Sequence, residues 1–169
     1  IGSARRIFKI QDEPVTILDG PGDIRAKTKT SKSHNRGGLE FKNVTFSYVP
    51  EMDPVLEDVN FVLNPGESLA LIGRSGAGKT TAANLILRFW DPQAGAIYLD
   101  DVDIRSYGLN NLRDQIALVS QDTYLFNTSI KENLIMAQPD ALEKDIIQAA
   151  KSASAHEFIM NLPDGYNTN

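Results

Sequence analysis

Gly73-Arg74-Ser75-Gly76-Ala77-Gly78-Lys79-Thr80 fits the spacing G-x-x-x-x-G-K-[ST] at every specified position. Those residue types together make an anion cradle. Glycines let the backbone turn tightly and point successive amide N–H groups inward. A helix beginning near Gly78 would add its unpaired amides and the positive end of its dipole. Lys79 brings a mobile cation to the β- and γ-phosphates of a nucleotide, and the Thr80 hydroxyl can ligate Mg²⁺. The bland alternative is a Gly-rich turn that happens to contain Lys-Thr. The specified residues co-occur by chance in well under about 1% of chains this long. The glycines do not fall as G-x-G-x-x-G, so the dinucleotide-binding pattern is not met.

Other residues could contribute chemistry, each with a plainer reading beside it. Tyr48, in Phe46-Ser47-Tyr48 at the end of a strand, could stack on a nucleotide base, although a strand-end tyrosine taken alone is more often packing. Gln121, in Val119-Ser120-Gln121, ends another apolar run, where ligands sit in parallel α/β sheets. Its amide could ligate Mg²⁺ or hold a water, whereas an isolated glutamine is ordinarily surface. Ala96-Ile97-Tyr98-Leu99-Asp100-Asp101 imitates an apolar strand ending in catalytic acids. It lies only about one helix beyond the phosphate loop, after Gly95, and reads as a peripheral strand. His34 and His156 have no nearby acidic arrangement that would make a base or metal site, and both read as structural.

The elements that must position these groups follow from patterning. Leu39, Phe41, Val44 and Phe46 alternate imperfectly with polar residues, as in a strand. Val59–Leu63 is a second strand, closed by the turn Asn64-Pro65-Gly66. Glu67–Gly73 ends in the continuous apolar run Leu69-Ala70-Leu71-Ile72, fitting a strand covered on both faces. A helix is predicted from Gly78 to about Phe89, stopped by Asp91-Pro92. Ala96–Leu99 and Ile116–Ser120 are further strands, and helices are predicted over Ala141–Ser152 and Ala155–Asn161. Upstream, Ala4, Ile7 and Phe8 have helical spacing, in a helix either docked on the domain or continuing from an earlier one. Gly20–Gly38 is polar, Gly-rich and locally basic, and reads as a linker.

The composition narrows the class. The 169 residues include 41% apolar and 23% charged types, ordinary for a soluble domain, and carry a net charge of −5. An acidic balance argues against nucleic acid as partner, since phosphate backbones attract basic faces. There is no cysteine, hence no disulfide or thiolate metal site. No apolar run approaches the roughly 20 residues that span a bilayer, and no signal peptide is visible.

Taken in order, these segments resemble the nucleotide-binding domain of ATP-binding cassette (ABC) transporters. The resemblance is carried by Phe46-Ser47-Tyr48, Asp53-Pro54-Val55-Leu56-Glu57-Asp58-Val59, the Gly73–Thr80 loop, Gly95-Ala96-Ile97-Tyr98-Leu99-Asp100, Leu112-Arg113 and Val119-Ser120-Gln121. Leu125-Phe126-Asn127-Thr128-Ser129-Ile130-Lys131-Glu132-Asn133-Leu134 looks like the exporter branch. Ala4–Ile10 with Asp12-Glu13-Pro14 resembles the segment joining the last membrane helix to that domain.

The resemblance implies an α/β P-loop NTPase fold: a RecA-like core, an antiparallel β subdomain and the start of the helical subdomain. Residues 1–38 would be the helix and basic linker from an upstream transmembrane domain, and residues 39–169 the N-terminal part of the nucleotide-binding domain. ATP and Mg²⁺ are the implied ligands. Tyr48 would stack on adenine, with Val55 lining the same pocket; Gly73, Arg74, Ser75, Gly76, Ala77, Gly78, Lys79, Thr80 and Thr81 would hold the phosphates. Thr80 and Gln121 would ligate Mg²⁺, with Gln121 supporting catalysis and reporting the γ-phosphate to the membrane partner. Asp122–Leu134 would face the cytoplasmic ends of membrane helices. The implied partners are a transmembrane domain and a second nucleotide-binding domain, and the implied location is the cytoplasmic face of a membrane.

The family's LSGGQ signature, Walker B aspartate, catalytic glutamate and switch histidine do not occur in these residues. The expectation is therefore weak ATP–Mg²⁺ binding at most, with no catalytic residue and no meaningful turnover from this segment alone, and an apolar strand edge or face left open. The competing reading is a non-catalytic nucleotide-binding fragment. A GTPase needs Asp-x-x-Gly after the loop and Asn-Lys-x-Asp for the base. Asp19-Gly20-Pro21-Gly22 precedes the loop, and Asn111-Leu112-Arg113-Asp114 lacks the lysine.

Overall fold

The computed structural model describes residues 8, 12, 14–20, 37–121 and 123–169. The expected helix over Ala4–Ile10 and the linker before Gly37 fall largely outside these residues, as does His34. The chain forms two compact units, residues 1–117 and 118–169.

The first unit is built on a four-stranded antiparallel sheet in the order β2-β1-β3-β4, with β1 Leu39–Phe46, β2 Leu56–Leu63, β3 Ala94–Leu99 and β4 Val102–Asp103. Phe41 pairs with Phe61 on one side and Ile97 on the other, and the two phenylalanine rings stack at 4.4 Å. The imperfect alternation of β1 has a cause. Phe41 opposes Phe61 while Val44 opposes Val59, so β1 carries one extra residue, and Asn43 has a φ of 50°. This bulge turns Val44 and Phe46 back to the face already occupied by Phe41. On that face Phe41, Val44, Phe46, Leu56, Ile97 and Leu99 pack with Ala82 and Leu85 of α1 (Lys79–Ile86) and with Ile104, Tyr107 and Leu112. Full burial of each large apolar side chain is worth about 1.5–3 kcal/mol. The phosphate loop is thereby tied to the sheet through α1.

The end of α1 is specified in detail. Phe89 N–H bonds to Asn84 O at 3.1 Å and Arg88 N–H to Leu85 O at 3.0 Å, the paired bonds of a Schellman cap. The left-handed position is filled by Arg88, φ 52°, rather than glycine. Its guanidinium is held by Asp91 at 2.9 Å, while Arg113 donates to the Leu87 and Arg88 carbonyls at 3.1 and 3.3 Å and lies over the Phe89 ring. Arg113 belongs to α2 (Leu109–Arg113), whose first amide donates to Asp19 Oδ1 at 2.6 Å. The helix predicted to reach Phe89 therefore stops at Ile86, three residues early.

Two predicted strands are not formed. Neither Glu67–Gly73 nor Ile116–Ser120 is paired with a strand among the described residues, and Ile72 and Val119 are 95% and 92% exposed. An apolar run adopts strand structure only where a neighbouring strand takes up its amides and carbonyls in register, and among the described residues no strand pairs with either run. The expected open apolar surface is present at these positions.

The second unit is helical: α3 Ile130–Ile135, α4 Glu143–Ser152 and α5 His156–Met160. Ile146, Ala150 and Ile159 are its buried side chains. The Ile130 amide bonds to Thr168 O at 2.9 Å, and His156 Nδ1 pairs with the Tyr166 hydroxyl at 2.9 Å, in keeping with a structural histidine. Among the described residues no helix is long and apolar enough to cross a membrane.

Candidate functional site

Gly73–Thr80 leads into the N-terminus of α1 with two glycines in the left-handed region, Gly76 at φ 81° and Gly78 at φ 83°. Gly78 is also crowded: a Cβ there would lie 2.6 Å from Leu56 Cδ2 and 3.0 Å from the Val55 carbonyl oxygen. The loop is therefore pressed against the start of β2, and only glycine fits both the backbone angle and the gap. The first helical bond is Ala82 N–H to Gly78 O at 2.8 Å, so the amides of Lys79, Thr80 and Thr81 precede it with no carbonyl one turn back. α1 has no side-chain cap at Gly78 and no acidic residue in its first turn, leaving the electropositive end open.

Lys79 folds back over the loop. Its ammonium donates to Gly73 O at 2.9 Å and Arg74 O at 2.7 Å. A cation whose donors rest on two loop carbonyls can transfer them to a polyanion entering the same cradle. Thr80 is exposed, and its hydroxyl has no hydrogen bond among the described residues. No group of three His, Asp or Glu residues suited to a metal occurs among the described residues, so a divalent ion here would depend on hydroxyl, amide and phosphate oxygens.

The aromatic side of the site is assembled by long-range contacts. Gln93 grips the backbone of Ser47, accepting from its N–H at 2.8 Å and donating to its carbonyl at 2.8 Å, and Val55 N–H bonds to Phe46 O at 2.8 Å. Tyr48 is thus held beside Val55. Its ring is nearly perpendicular to Phe46 (82°, 5.0 Å) and Trp90 (90°, 5.1 Å), and 47% of the residue is exposed. The Tyr48 hydroxyl lies 3.0 Å from Thr81 Oγ1. Tyr48, Val55, Gly78 and Thr81 are therefore brought together in the first unit. Gln121 is exposed and belongs to the second.

The Walker B imitation is resolved by backbone geometry. Asp100 and Asp101, at φ 51° and 64°, are the two central residues of the tight hairpin joining β3 to β4. Asp100 Oδ1 accepts from the amides of Gly37 and Gly38 at 2.7 and 2.9 Å. Both acids serve a turn. Gln93 and Trp90 had no signal in the sequence, because their roles depend on contacts across the sheet. The capping box at the start of α3 did have one: Ser129-x-x-Glu132. There the Glu132 carboxylate accepts from Thr128, the Ser129 amide and the Ser129 hydroxyl, bonds that hold it below the usual glutamate range.

Residues 56–167 match the sequence model of the ABC transporter family. The chain belongs to the ABC transporter family. It is 45% identical over 168 residues to YgaD of Bacillus subtilis, named as a multidrug export ATP-binding/permease protein, covering 99% of this chain and 28% of that protein. A Staphylococcus aureus protein of the same description is 40% identical over 162 residues, covering 96% of this chain and 27% of its own length. Among solved structures, a bacterial Atm1-family ABC exporter with ATP bound superposes with a TM-score of 0.81 at 33% identity, over 98% of this chain and 28% of that one. The fold is thus that of an ABC nucleotide-binding domain, a P-loop NTPase fold, and the chain spans only about 28% of the length of these relatives. Its antiparallel sheet and its helical second unit correspond to the expected antiparallel subdomain and the start of the helical one.

Proposed function

We propose that this chain binds ATP with Mg²⁺ as part of the nucleotide-binding domain of an ABC exporter, whose whole protein couples nucleotide hydrolysis to transport across a membrane. The observation that carries the reading is Lys79 folded onto the Gly73 and Arg74 carbonyls at the uncapped start of α1. The amides of Gly73, Arg74, Ser75, Gly76 and Gly78 would form the cradle, joined by those of Lys79, Thr80 and Thr81, while the Ala77 amide closes the loop on the Arg74 carbonyl at 3.2 Å. Lys79 supplies the cation for the β- and γ-phosphates. Thr80 offers a free hydroxyl to Mg²⁺. Tyr48, about half exposed and nearly perpendicular to the Phe46 and Trp90 rings, offers a ring for adenine, with Val55 beside it. The bound metal supplies charge neutralisation of the phosphates; these residues supply grip and orientation.

In this reading residues 1–38 link to an upstream transmembrane domain, and Asp122–Leu134 faces membrane helices at the cytoplasmic side. The large exposed side chains Tyr124, Leu125 and Phe126 support that docking role. A second nucleotide-binding domain is the other partner, and nucleic acid is not one.

Titration calorimetry of Mg-ATP against the full-length protein tests the reading. Removing the charge-assisted bonds of one ammonium, worth about 1.5–3 kcal/mol, means that Lys79→Ala weakens binding roughly 10- to 100-fold. Equal affinity in wild type and Lys79→Ala would refute it.

A further inference from the structure

Thr81 is 5% exposed, and a hydroxyl that deeply placed requires a partner. In a helix a threonine hydroxyl commonly bonds back to a carbonyl three or four residues earlier. Thr81 makes no such bond. Its hydroxyl instead meets the phenol of Tyr48 at 3.0 Å, across 33 residues of sequence. Phe46 and Trp90 restrain the Tyr48 ring only by near-perpendicular apolar contact, at 5.0 and 5.1 Å. Such contacts allow the ring to slide or swing, whereas a directional bond at the phenol fixes both ends of the side chain. The partner stands in the first turn of α1, directly after Lys79 and Thr80.

We infer that the Thr81 hydroxyl is a positioning residue for Tyr48, locking the base-stacking ring to the helix that carries the phosphate loop, so that base and triphosphate are read by one rigid unit. This rests on the assignment of Tyr48 to the base. It also divides the labour within Thr81. The backbone amide is left for phosphate, and the side chain is committed to the aromatic wall. A nucleotide is then recognised by a ring and a cradle whose separation is set before it arrives, which lowers the ordering cost of stacking.

The test compares Mg-ATP with magnesium tripolyphosphate, which has the anionic tail and no base, by calorimetry on the full-length protein. Tyr48→Phe keeps the ring and removes the phenol oxygen; Thr81→Val keeps the shape and removes the hydroxyl; Thr81→Ser restores it. One hydrogen bond lost predicts that each of the first two weakens ATP binding roughly 3- to 10-fold, and that their combination weakens it no further. Thr81→Ser should bind ATP within about twofold of wild type, and all variants should bind tripolyphosphate within about twofold. Additive losses, or a Thr81→Val loss equal for both ligands, would overturn the inference while leaving the phosphate loop intact. Wild-type protein that takes up neither ligand would instead overturn the nucleotide-binding reading, and this inference with it.

Discussion

Replacing Gly78 by alanine places a methyl group 2.6 Å from Leu56 Cδ2 and 3.0 Å from the Val55 carbonyl oxygen, at a φ of 83°. Gly76 provides a matched control, with nearly the same angle, 81°, and nothing within 4 Å of its hypothetical Cβ. Left-handed backbone costs an alanine about 1–2 kcal/mol at either position. The reduced freedom of the unfolded chain returns about 0.4–1 kcal/mol in both cases. Overlap is confined to Gly78, where forcing a methyl into packed surroundings adds about 1–3 kcal/mol. The two variants should therefore differ in local stability by about 1–3 kcal/mol, or roughly 5- to 150-fold in the population of the opened loop. Native-state proteolysis of the full-length protein reads that population when reclosing is faster than cleavage. Cleavage within residues 73–80 should rise more in Gly78→Ala than in Gly76→Ala by that factor. Equal rates, or a faster rate for Gly76→Ala, would show that the loop is not pressed against Leu56.

Further outcomes follow from the same geometry. Gln93→Ala removes both bonds that hold the Ser47 backbone, and Mg-ATP affinity in calorimetry should fall roughly 3- to 10-fold while tripolyphosphate affinity is retained. Arg113→Ala withdraws the donors from the Leu87 and Arg88 carbonyls at the end of α1; amide exchange at Arg88 and Phe89 should speed up by an amount corresponding to about 1–2 kcal/mol. The Glu132 carboxyl, held below its ordinary range by bonds from Thr128 and Ser129, stabilises the start of α3 fully above the unfolded-state value. That contribution is lost as pH falls through the lower folded-state value, so the protection of the Ser129–Asn133 amides relative to their intrinsic exchange rates should fall with acid in wild type and stay flat in Glu132→Gln.

The phosphate loop was legible because its chemistry fixes both residue type and spacing. The antiparallel sheet was legible in outline, since Leu39, Phe41, Phe46, Ile97 and Leu99 all declare one apolar face. The bulge at Asn43 showed only as the imperfect alternation of β1, which does not say which strand pairing carries the extra residue. The runs ending at Ile72 and Val119 have strand composition, but composition cannot supply a pairing strand, and both runs carry exposed apolar side chains with no strand assigned. The helix stop at Ile86 depends on Arg88 taking a left-handed angle usually given to glycine, held there by Asp91 and Arg113, which no local pattern announces. Gln93 and Thr81 act on Ser47 and Tyr48 from 46 and 33 residues away, a distance only folding closes. Ser129 and Glu132 did leave a readable cap, and with it a helix that periodicity alone passes over in so short a segment.

Trp90, the only tryptophan in these 169 residues, stands perpendicular to Tyr48 with ring centroids 5.1 Å apart. An indole so close to a phenol senses that ring's motion through its emission colour and yield. The aromatic wall therefore carries its own optical probe, and a purine sliding into place could be timed by stopped-flow without attaching any dye.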